Sequence, residues 1–485
     1  MNPISKFRNI TLLVASVSAW MAIQGLAADE PIRLHPENPH YFLWRDKPTI
    51  LITSGEHYGA VLNLDFDYLK YLDTLAKDGL NLTRTFTGGG YVEPQGAFNI
   101  ARNTLAPGSG RFIAPWARSD QEGYAGDGNK FDLTRWNKAY FERFRGFVAE
   151  AARHGIVVEV NLFCPMYEET QWRLSPFNAI NNVNGVGNIE RTNVYTLERN
   201  GNLLAVQERM VRKFVEELKD YDNVYYEICN EPYFGGVTID WQRHIASVIT
   251  DTEKHYPFKH LISQNIANNQ ARIDDPDPAV SIFNFHYAAP PDTVAMNAHL
   301  NRVIGDNETG FRGTNDAPYR MEGWDFIVAG GGLFNNLDCS FTTGHEDGTF
   351  VYPASQPGGG NPGFRRQIKI LRDFINGFVF IHMKPDNSVI VGGVPSTLTA
   401  RALAQPGKAY AIYLRPKTKS PTPVPRSDVP VSLEVSLPPG NYRAEWIDPV
   451  TGMVAGREEF KHETGIRKCV APVFAEDIAL RIEAK

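Results

Sequence analysis

Residues 224–232 read Val-Tyr-Tyr-Glu-Ile-Cys-Asn-Glu-Pro, and they indicate the fold more clearly than any other stretch of the chain. The run that ends at Cys229 is mostly apolar, which is typical of a strand in a parallel sheet covered on both faces. Pro232 restricts the backbone and disfavours helix at Glu231. In barrels of parallel strands, the loops that follow the strands build the functional face. We therefore expect Asn230 and Glu231 to lie at that face.

Similar strand-like runs flank this stretch on both sides, and amphipathic helical patterns separate them. This alternation is typical of βα units around a parallel sheet. The runs lie at residues 49–54, 82–86, 156–162, 261–263, 280–285, 302–305 and near 327–329. With the stretch at 224–229 they predict an α/β fold, a (β/α)8 TIM barrel.

The composition changes near Asn387. Beyond this point short β-rich runs are separated by Pro and Gly turns, and no helical period persists. The runs lie at residues 400–403, 409–414, 431–435, 442–447 and 478–482. This pattern predicts a small antiparallel β-sandwich with an exposed proline-rich loop at 416–426. We expect a catalytic barrel over residues 29–386 and a sandwich domain over residues 387–485.

The N-terminal residues have the pattern of a secretory signal peptide. Lys6 and Arg8 precede an apolar run at residues 10–23, and a small-residue stretch ends at Ala28. The apolar core is too short for a spanning helix. We expect residues 1–28 to be a signal peptide, cut after Ala27 or Ala28, and the mature protein to be secreted or periplasmic. No later run is apolar for long enough to cross a bilayer.

Charge and cysteine content exclude several classes of protein. The chain has 55 acidic and 49 basic residues, and it lacks the basic stripe of a nucleic-acid-binding protein. Its four cysteines have no CxxC spacing, which argues against a zinc site and a disulfide framework. Neither an HExxH metal motif nor a GxSxG serine motif is present. A neutral substrate fits this balance best, and no cofactor or metal is expected.

A second carboxylate is required if Glu231 takes part in glycosidic cleavage. That reaction passes through an oxocarbenium-like state, which needs one proton donor and one carboxylate. Glu308 follows the seventh strand-like run and is the candidate. The alternatives are Glu322, Glu346 and Glu159. Glu159 falls inside the third run, where an interior or helix-facing role is expected, and Glu322 has no clear strand before it.

With these motifs the chain resembles the retaining (β/α)8 glycosidases of clan A, the superfamily that includes glycoside hydrolase family 5. The resemblance extends over about residues 31–385. It implies that Glu231 is the acid/base and that Asn230 binds the sugar 2-hydroxyl. It also implies that Glu308 is the nucleophile and that Arg84, at the end of the second run, orients it.

His286 and Tyr287 resemble the histidine and tyrosine that follow strand six in the same clan. Family 5 more often has His-Xaa-Tyr, whereas this chain has His-Tyr-Ala. Either side chain is therefore a candidate to reach the nucleophile. His286 also fits a core histidine, and Arg84 also fits an ordinary interior ion pair.

Two further stretches, Gly-Glu-His-Tyr-Gly at 55–59 and Asp-Pro-Val-Thr-Gly at 448–452, resemble cellulase-like secreted bacterial proteins. Such proteins end in a β-sandwich of the type labelled collagen-binding, and we do not infer collagen binding from the likeness. Glu56 and His57 fit a loop cap and a substrate-binding role equally. The family resemblance gives a slight preference for a β-glucan as the carbohydrate substrate.

Several aromatic residues are expected in or near the loops of the functional face, where flat rings stack on sugar faces. They are Trp116, Tyr167, Trp172, Tyr233 and Trp324, of which Trp324 is a substrate-binding candidate. The predicted function is a retaining glycoside hydrolase that cleaves β-glycosidic bonds of a polysaccharide or oligosaccharide. The alternative is a catalytically inactive carbohydrate-binding barrel, and the presence of both candidate glutamates argues against it.

Overall fold

The computed structural model describes residues 30–356, 358–417 and 431–485. The predicted signal peptide and most of the predicted proline-rich loop lie outside these residues. A small antiparallel sheet comes first, with strands β1 (Arg33–Leu34), β2 (Phe42–Trp44) and β3 (Lys47–Thr49). Its apolar side chains pack against the first residues of the barrel strands, so the sheet covers the N-terminal end of the barrel.

The middle of the chain alternates strands and helices. The strands are β4 (Leu51–Gly55), β5 (Leu82–Phe86), β6 (Trp116–Glu122), β7 (Asn129–Trp136), β8 (Val157–Phe163), β9 (Val224–Cys229), β10 (Ile262–Asn268), β11 (Ile282–His286), β12 (Val303–Thr309) and β13 (Leu333–Leu337). The helices are α1 (Tyr68–Lys77), α2 (Lys138–Arg153), α3 (Glu169–Leu174), α4 (Leu204–Leu218), α5 (Ile239–Glu253), α6 (Asp292–Asn297), α7 (Ala317–Val328) and α8 (Pro362–Asn376). All these strands except the hairpin β6–β7 form one eight-stranded parallel sheet, which confirms the predicted (β/α)8 barrel.

Neighbouring strands of this sheet follow the order β4, β13, β12, β11, β10, β9, β8, β5, so β4 and β5 are its edges. The side chain of Asn81 joins the two edges. Its Oδ1 accepts a hydrogen bond from Ile52 N at 2.9 Å, and its Nδ2 donates to Ile50 O at 2.9 Å. Two separate backbone bonds add to this contact, from Asn81 N to Ile52 O at 3.5 Å and from Phe86 N to Tyr58 O at 2.9 Å. A side chain and isolated backbone bonds, rather than a continuous ladder, therefore close the barrel.

Strands β5 and β9 have the bounds that the sequence predicts, whereas the predicted eighth strand was wrong. Residues 327–329 lie at the end of helix α7, and the eighth strand is β13. Helix α7 is buried around most of its circumference between the sheet and the C-terminal strands. Its apolar end therefore resembles a short buried strand in sequence.

The C-terminal region is built from antiparallel strands, as predicted. They are β14 (Lys384–Pro385), β15 (Ile390–Gly392), β16 (Leu398–Gln405), β17 (Ala409–Pro416), β18 (Ser432–Ser436), β19 (Gly440–Ile447), β20 (Val454–His462), β21 (Ile466–Val470) and β22 (Ile478–Ala484). One sheet has the order β14-β16-β17-β22-β19-β20, and the other has the order β15-β18-β21. Strands β20 and β21 were not predicted, because both are largely exposed and rich in charged residues. The expected domain boundary after residue 386 falls between β14 and β15.

Helix α7 carries the contact between the barrel and the sandwich. The indole of Trp324 stacks on Tyr413, with ring centroids 5.4 Å apart. Arg320 forms a buried ion pair with Asp477 at 2.7 Å. The expectation for Trp324 is thereby corrected: its ring is fully buried under the sandwich and lies outside the loops of the functional face.

The four cysteines are free and buried. Within residues 30–356, 358–417 and 431–485, no helix is long and apolar enough to cross a membrane.

Candidate active site

Side chains at the carboxyl ends of the barrel strands converge on a pocket of about 210 Å³. Three carboxyl groups line it. Glu93 belongs to the loop after β5, Glu231 follows β9, and Glu308 lies near the end of β12. Burying three acids in one small pocket is costly unless donors or a proton compensate, so their neighbours define what the pocket can do.

Glu231 and Glu308 face each other across the pocket, as the sequence predicts. One oxygen of each carboxyl group and Nδ1 of His286 all lie within 4.8 Å of one another. Retaining glycosidases hold their two carboxyl groups about 5–5.5 Å apart, whereas inverting enzymes leave about 6.5–9.5 Å for a water molecule. The spacing fits direct attack on the sugar by one of the two carboxylates.

Hydrogen-bond donors surround both oxygens of Glu308. Tyr58 Oη donates to Oε2 at 3.0 Å, and Arg84 Nη1 lies 3.3 Å from the same oxygen. Tyr287 Oη donates to Oε1 at 2.7 Å. Of the two strand-six candidates, Tyr287 therefore makes the short contact, while Nδ1 of His286 is 3.6 Å from Oε1. These donors stabilise the charged carboxylate and fix its orientation.

Arg84 connects the pocket to the interior of the barrel. Its side chain is almost fully buried, and Nε donates to Glu159 at 2.7 Å. Nη2 donates to Glu227 and, at 2.7 Å, to Oδ1 of Asn230. The structure thus brings together both roles that the sequence left open for Arg84, an interior ion pair and a contact with Glu308.

Glu159 therefore lies inside the barrel rather than in the pocket. Burial, followed by the charge of Glu227, raises the pKa of the Glu159 carboxyl to about 8. Glu227 was not singled out from sequence, because a glutamate within a strand has no pattern that separates an interior role from a surface one. Its second oxygen accepts hydrogen bonds from Asn284 at 2.9 Å and from Asn307 at 2.8 Å.

Glu231 is held by a different set of groups. Tyr167 Oη donates to Oε2 at 2.7 Å, and Tyr233 Oη donates to Oε1 at 3.2 Å. Nδ1 of His286 also lies 3.2 Å from Oε1. Asn230, which lines the pocket, donates from Nδ2 to Tyr167 Oη at 2.8 Å. Two of the predicted aromatic residues, Tyr167 and Tyr233, thus contact the candidate acid directly.

The pKa values of Glu231 and His286 are linked. Burial raises the pKa of Glu231, but the hydrogen bond and charge of His286 and the two tyrosine hydroxyls lower it below its ordinary value. Burial lowers the pKa of His286, but the charges of Glu308 and Glu231 raise it above its ordinary value. Both directions hold while His286 carries a positive charge.

Glu56 and His57 have different roles. Glu56 accepts hydrogen bonds from the backbone of Gly59 at 3.0 Å and Ala60 at 3.1 Å, so it caps its own loop. His57 lines the pocket. Burial, followed by the charge of Arg84, lowers the pKa of His57 to about 3, so its imidazole is neutral. Its Nδ1 is buried and has no hydrogen-bond partner within the described part of the chain.

The comparisons with known proteins agree with this geometry. A model of the cellulases, glycosyl hydrolase family 5, matches residues 69–316, just over half of the chain. The chain belongs to glycoside hydrolase family 5. The predicted family is confirmed, and both Glu231 and Glu308 lie within the matched residues of this family 5 hydrolase.

Solved structures share the fold of this family 5 hydrolase. A candidate glycoside hydrolase from Bacteroides vulgatus ATCC 8482 has a TM-score of 0.66 at 14% identity, over 94% of this chain and 83% of its own. A family 5 glycoside hydrolase from the same organism has a TM-score of 0.61 at 14% identity, over 94% and 92%. At this identity the likeness concerns the fold alone. Comparison with curated proteins finds no match to the chain.

Aromatic rings form the rim of the family 5 pocket. The ring centroid of Phe98 lies 5.4 Å from that of Tyr167 and 6.5 Å from that of Phe311. Trp116 and Trp172 are instead buried in the packing behind the loops, where their indole N–H groups donate to backbone carbonyls. Phe98 and Phe311 were not predicted from sequence.

Five residues that line the pocket have left-handed backbone angles, which are costly for side chains other than glycine. They are Tyr58 (φ 56°), Phe98 (φ 54°), Glu231 (φ 38°), Tyr287 (φ 55°) and Phe311 (φ 59°). No residue pattern marks such positions, so the sequence offered no signal for Tyr58, Phe98 and Phe311. Strain of this kind concentrates at functional sites.

Glu93 is the third carboxyl group of the pocket and was also missed from sequence. Its Oε1 accepts a hydrogen bond from Tyr91 Oη at 2.8 Å, and its Oε2 accepts one from Asn103. Burial raises the pKa of Glu93 to about 7; the hydrogen bonds oppose this rise, and the charge of Glu308 adds to it.

Glu231, His286 and Glu308 also have the donor types and spacing that a cation would need. Tyrosine hydroxyls already bond to both carboxyl groups, and Arg84 also bonds to Glu308. We therefore assign no metal to these residues.

Proposed function

We propose that this family 5 hydrolase cleaves β-glycosidic bonds with retention of configuration, with Glu308 as the nucleophile and Glu231 as the acid/base. The observation that carries this proposal is the spacing of the two carboxyl groups, whose nearest oxygens are at most 4.8 Å apart. This gap favours attack by a carboxylate because a water molecule has no room between the acids and the sugar.

In the first step, a Glu308 oxygen forms a bond to the anomeric carbon while the bond to the leaving oxygen breaks. Glu231 donates its proton to that oxygen. In the second step, Glu231 takes a proton from water, and the water oxygen displaces Glu308 from the anomeric carbon. Two inversions give net retention. Tyr58, Arg84 and Tyr287 keep Glu308 charged and aimed during the first step.

The first step requires a proton on Glu231, whereas a charged His286 lowers the pKa of Glu231. Nε2 of His286 has no hydrogen-bond partner among the residues described. An imidazolium would leave a buried N–H unpaired there, at a cost of about 1–3 kcal/mol. The neutral Nδ1–H tautomer avoids this cost. A neutral His286 no longer contributes the positive charge that lowers the pKa of Glu231, while burial still raises that pKa, which favours the protonated acid that the mechanism needs.

Polar groups of the pocket suit a sugar ring. The imidazole of His57 and the carboxyl group of Glu93 both line the pocket, where they can contact sugar hydroxyls. Asn230 lies beside both glutamates, which supports the expected contact with the 2-hydroxyl. The substrate we propose is a β-linked polysaccharide or oligosaccharide, with a slight preference for a β-glucan that comes from the family resemblance.

The test is a panel of aryl β-glycosides and of β-glucan, mannan, xylan and galactan chains, followed by proton NMR of the first sugar anomer released. We expect hydrolysis that persists in a chelator and a β product from a β substrate. An α product would contradict the assignment of Glu308 as nucleophile, and loss of activity in chelator would contradict a metal-free mechanism.

A further inference from the structure

The loop after β5 covers one side of the catalytic pocket. The loop after β5 contributes Glu93 and Phe98, and the ring of Phe98 extends towards Tyr167 and Phe311 over the rim. Phe98 is 41% exposed and adopts a left-handed conformation, so its position is not explained by burial in a core. The volume of about 210 Å³ is below the roughly 300–1,000 Å³ of pockets for larger ligands, which is consistent with a single sugar ring.

A larger groove of about 620 Å³ opens on the other side. Tyr287 and Phe311 line both the pocket and the groove, so the two are adjacent. The groove runs over Asn268 and along helix α7 to the sandwich. Its far end is formed by Arg415, in strand β17, and by Lys417 just beyond that strand.

The groove begins next to the candidate acid. Tyr233 Oη lies 3.2 Å from Oε1 of Glu231 and 2.5 Å from Oδ1 of Asn268, a groove residue, and so is within hydrogen-bond distance of both. An acid that protonates the leaving oxygen must lie on the leaving-group side of the scissile bond. The larger groove is therefore on the leaving-group side, and the smaller pocket holds the sugar that is transferred to Glu308.

The chemistry of the groove suits a sugar chain. The ring of Phe311 is 36% exposed, and the flat rings of sugars stack on such surfaces. The guanidinium of Arg312 is held by Glu322 at 2.5 Å, and that of Arg415 is held by Asp325 at 2.6 Å. Both carboxylates are buried beneath the groove, so the guanidinium groups are fixed in place with donors available to hydroxyl groups.

We propose that this groove is a leaving-group site completed by the sandwich, and that the enzyme removes single sugars from the non-reducing end of an oligosaccharide lying in it. The inference rests on the proposed function, because it takes Glu231 as the acid. It gives the sandwich a direct part in substrate binding through Arg415 and Lys417.

The first experiment blocks the groove. Met321 of helix α7 lies half-buried in the groove wall, so M321W should fill it. We expect kcat/KM for a tetrasaccharide of the sugar found in the panel to fall about tenfold or more. The value for the matching aryl glycoside, which does not extend along the groove, should stay within about twofold. M453W is the matched control, because Met453 is 69% exposed in the sandwich and outside the groove.

A second pair of variants tests the sandwich residues. K417A should lower kcat/KM for the tetrasaccharide about threefold, the loss expected for an exposed polar contact. K408A, which removes an exposed lysine from the turn between β16 and β17, should have no effect. Equal kcat/KM values for K417A and the wild type would contradict the proposal that the sandwich is part of the site.

The third readout is the order of products from a tetrasaccharide labelled at its reducing end. We expect an unlabelled monosaccharide and a labelled trisaccharide to appear first. An unlabelled disaccharide as first product, or full tetrasaccharide activity in M321W, would overturn the inference while aryl glycoside hydrolysis still supports the proposed function. Failure of the wild type on every substrate would instead contradict the proposed function itself.

Discussion

The two catalytic candidates have contrasting surroundings. Glu308 lies within strand β12, and the donors that hold it include Arg84 from the barrel interior. Glu231 follows strand β9 in a left-handed conformation, and its tyrosine donors come from loops. A nucleophile must remain charged and aimed, whereas an acid/base must lose and regain a proton. The comparison teaches that the first role belongs to a strand residue paired with an interior cation, whereas the second belongs to a residue just beyond a strand that is held by hydroxyl groups and a histidine.

The largest expected effect comes from replacing Glu308. E308A removes the group that bonds to the sugar, so kcat should fall about 10⁴-fold or more with folding and sugar binding nearly intact. Azide should restore part of the turnover by filling the vacated space. Steady-state kinetics and binding calorimetry measure both.

The control for this variant is E322Q, since Glu322 lies behind strand β12, bonded to Thr309 at 2.7 Å and outside the catalytic pocket. We expect E322Q to retain most of its activity on the aryl glycoside, because Glu322 holds Arg312 in the groove and contacts no group that lines the catalytic pocket. Activity that survives in E308A and disappears in E322Q would reassign the nucleophile.

The loss of activity on replacing Glu231 should depend on the leaving group of the substrate. E231A loses proton donation, which is worth about 10²–10⁴-fold, so kcat/KM should fall by that amount for a natural oligosaccharide. A dinitrophenyl glycoside leaves without a proton and should form its glycosyl-enzyme at close to the wild-type rate. Pre-steady-state release of dinitrophenol measures this step. The same loss for both substrates would mean that Glu231 is not the acid.

Much of this arrangement could be predicted from sequence because it depends on short buried runs with clear ends. Strand β9 and the residues after it follow from an apolar run broken by Asn-Glu-Pro, and the position of Glu308 follows from the order of the strands. The same order leads to Arg84 at the end of β5. These signals lie within short stretches of sequence, so they can be recognised without knowing how the chain packs.

The remaining features depend on tertiary packing and could not be predicted. Helix α7 is buried on nearly every side because it lies between two domains. The sequence pattern therefore wrongly predicts the eighth strand at its apolar C-terminal end and Trp324 in a loop of the functional face. Tyr58 and Phe311 reach the pocket through left-handed backbone angles that their residue types do not indicate. Only the fold around them stabilises such conformations.

Deleting single tyrosine hydroxyls should distinguish the hydrogen bonds that hold Glu308 from those that hold Glu231. Y58F and Y287F each remove one hydrogen bond to Glu308, so each should lower kcat/KM about tenfold with little change in the pH profile. Y233F removes a bond that lowers the pKa of Glu231. That pKa should rise, so the alkaline limb of the kcat/KM profile should move to higher pH. An alkaline limb that stays in place in Y233F, or one that shifts in Y287F, would contradict the distinction between the groups that hold Glu231 and those that hold Glu308.

The smallest expected effect concerns Glu93, which belongs to neither side. Burial raises its pKa from 4.5 to about 7 in the folded protein, whereas the unfolded chain releases the proton near the ordinary value. Between these pH values the unfolded state binds fewer protons, so Glu93 makes folding less stable as pH rises from about 4.5 to about 7. E93Q should remove this slope. Urea unfolding of both proteins across this range measures it, and parallel curves would exclude a raised pKa.

The Asn81 closure has a dynamic consequence for the catalytic pocket. Where a side chain substitutes for a ladder, fewer backbone hydrogen bonds must break for two strands to part, so local opening there has a low free energy. Strand β4 leads directly to His57 and Tyr58, which line the pocket. Amide hydrogen exchange should therefore be fastest, among the barrel strands, along the facing edges of β4 and β5. The pair of edge strands for which we predict the fastest exchange therefore leads to Tyr58, one of the hydroxyl groups that hold the nucleophile.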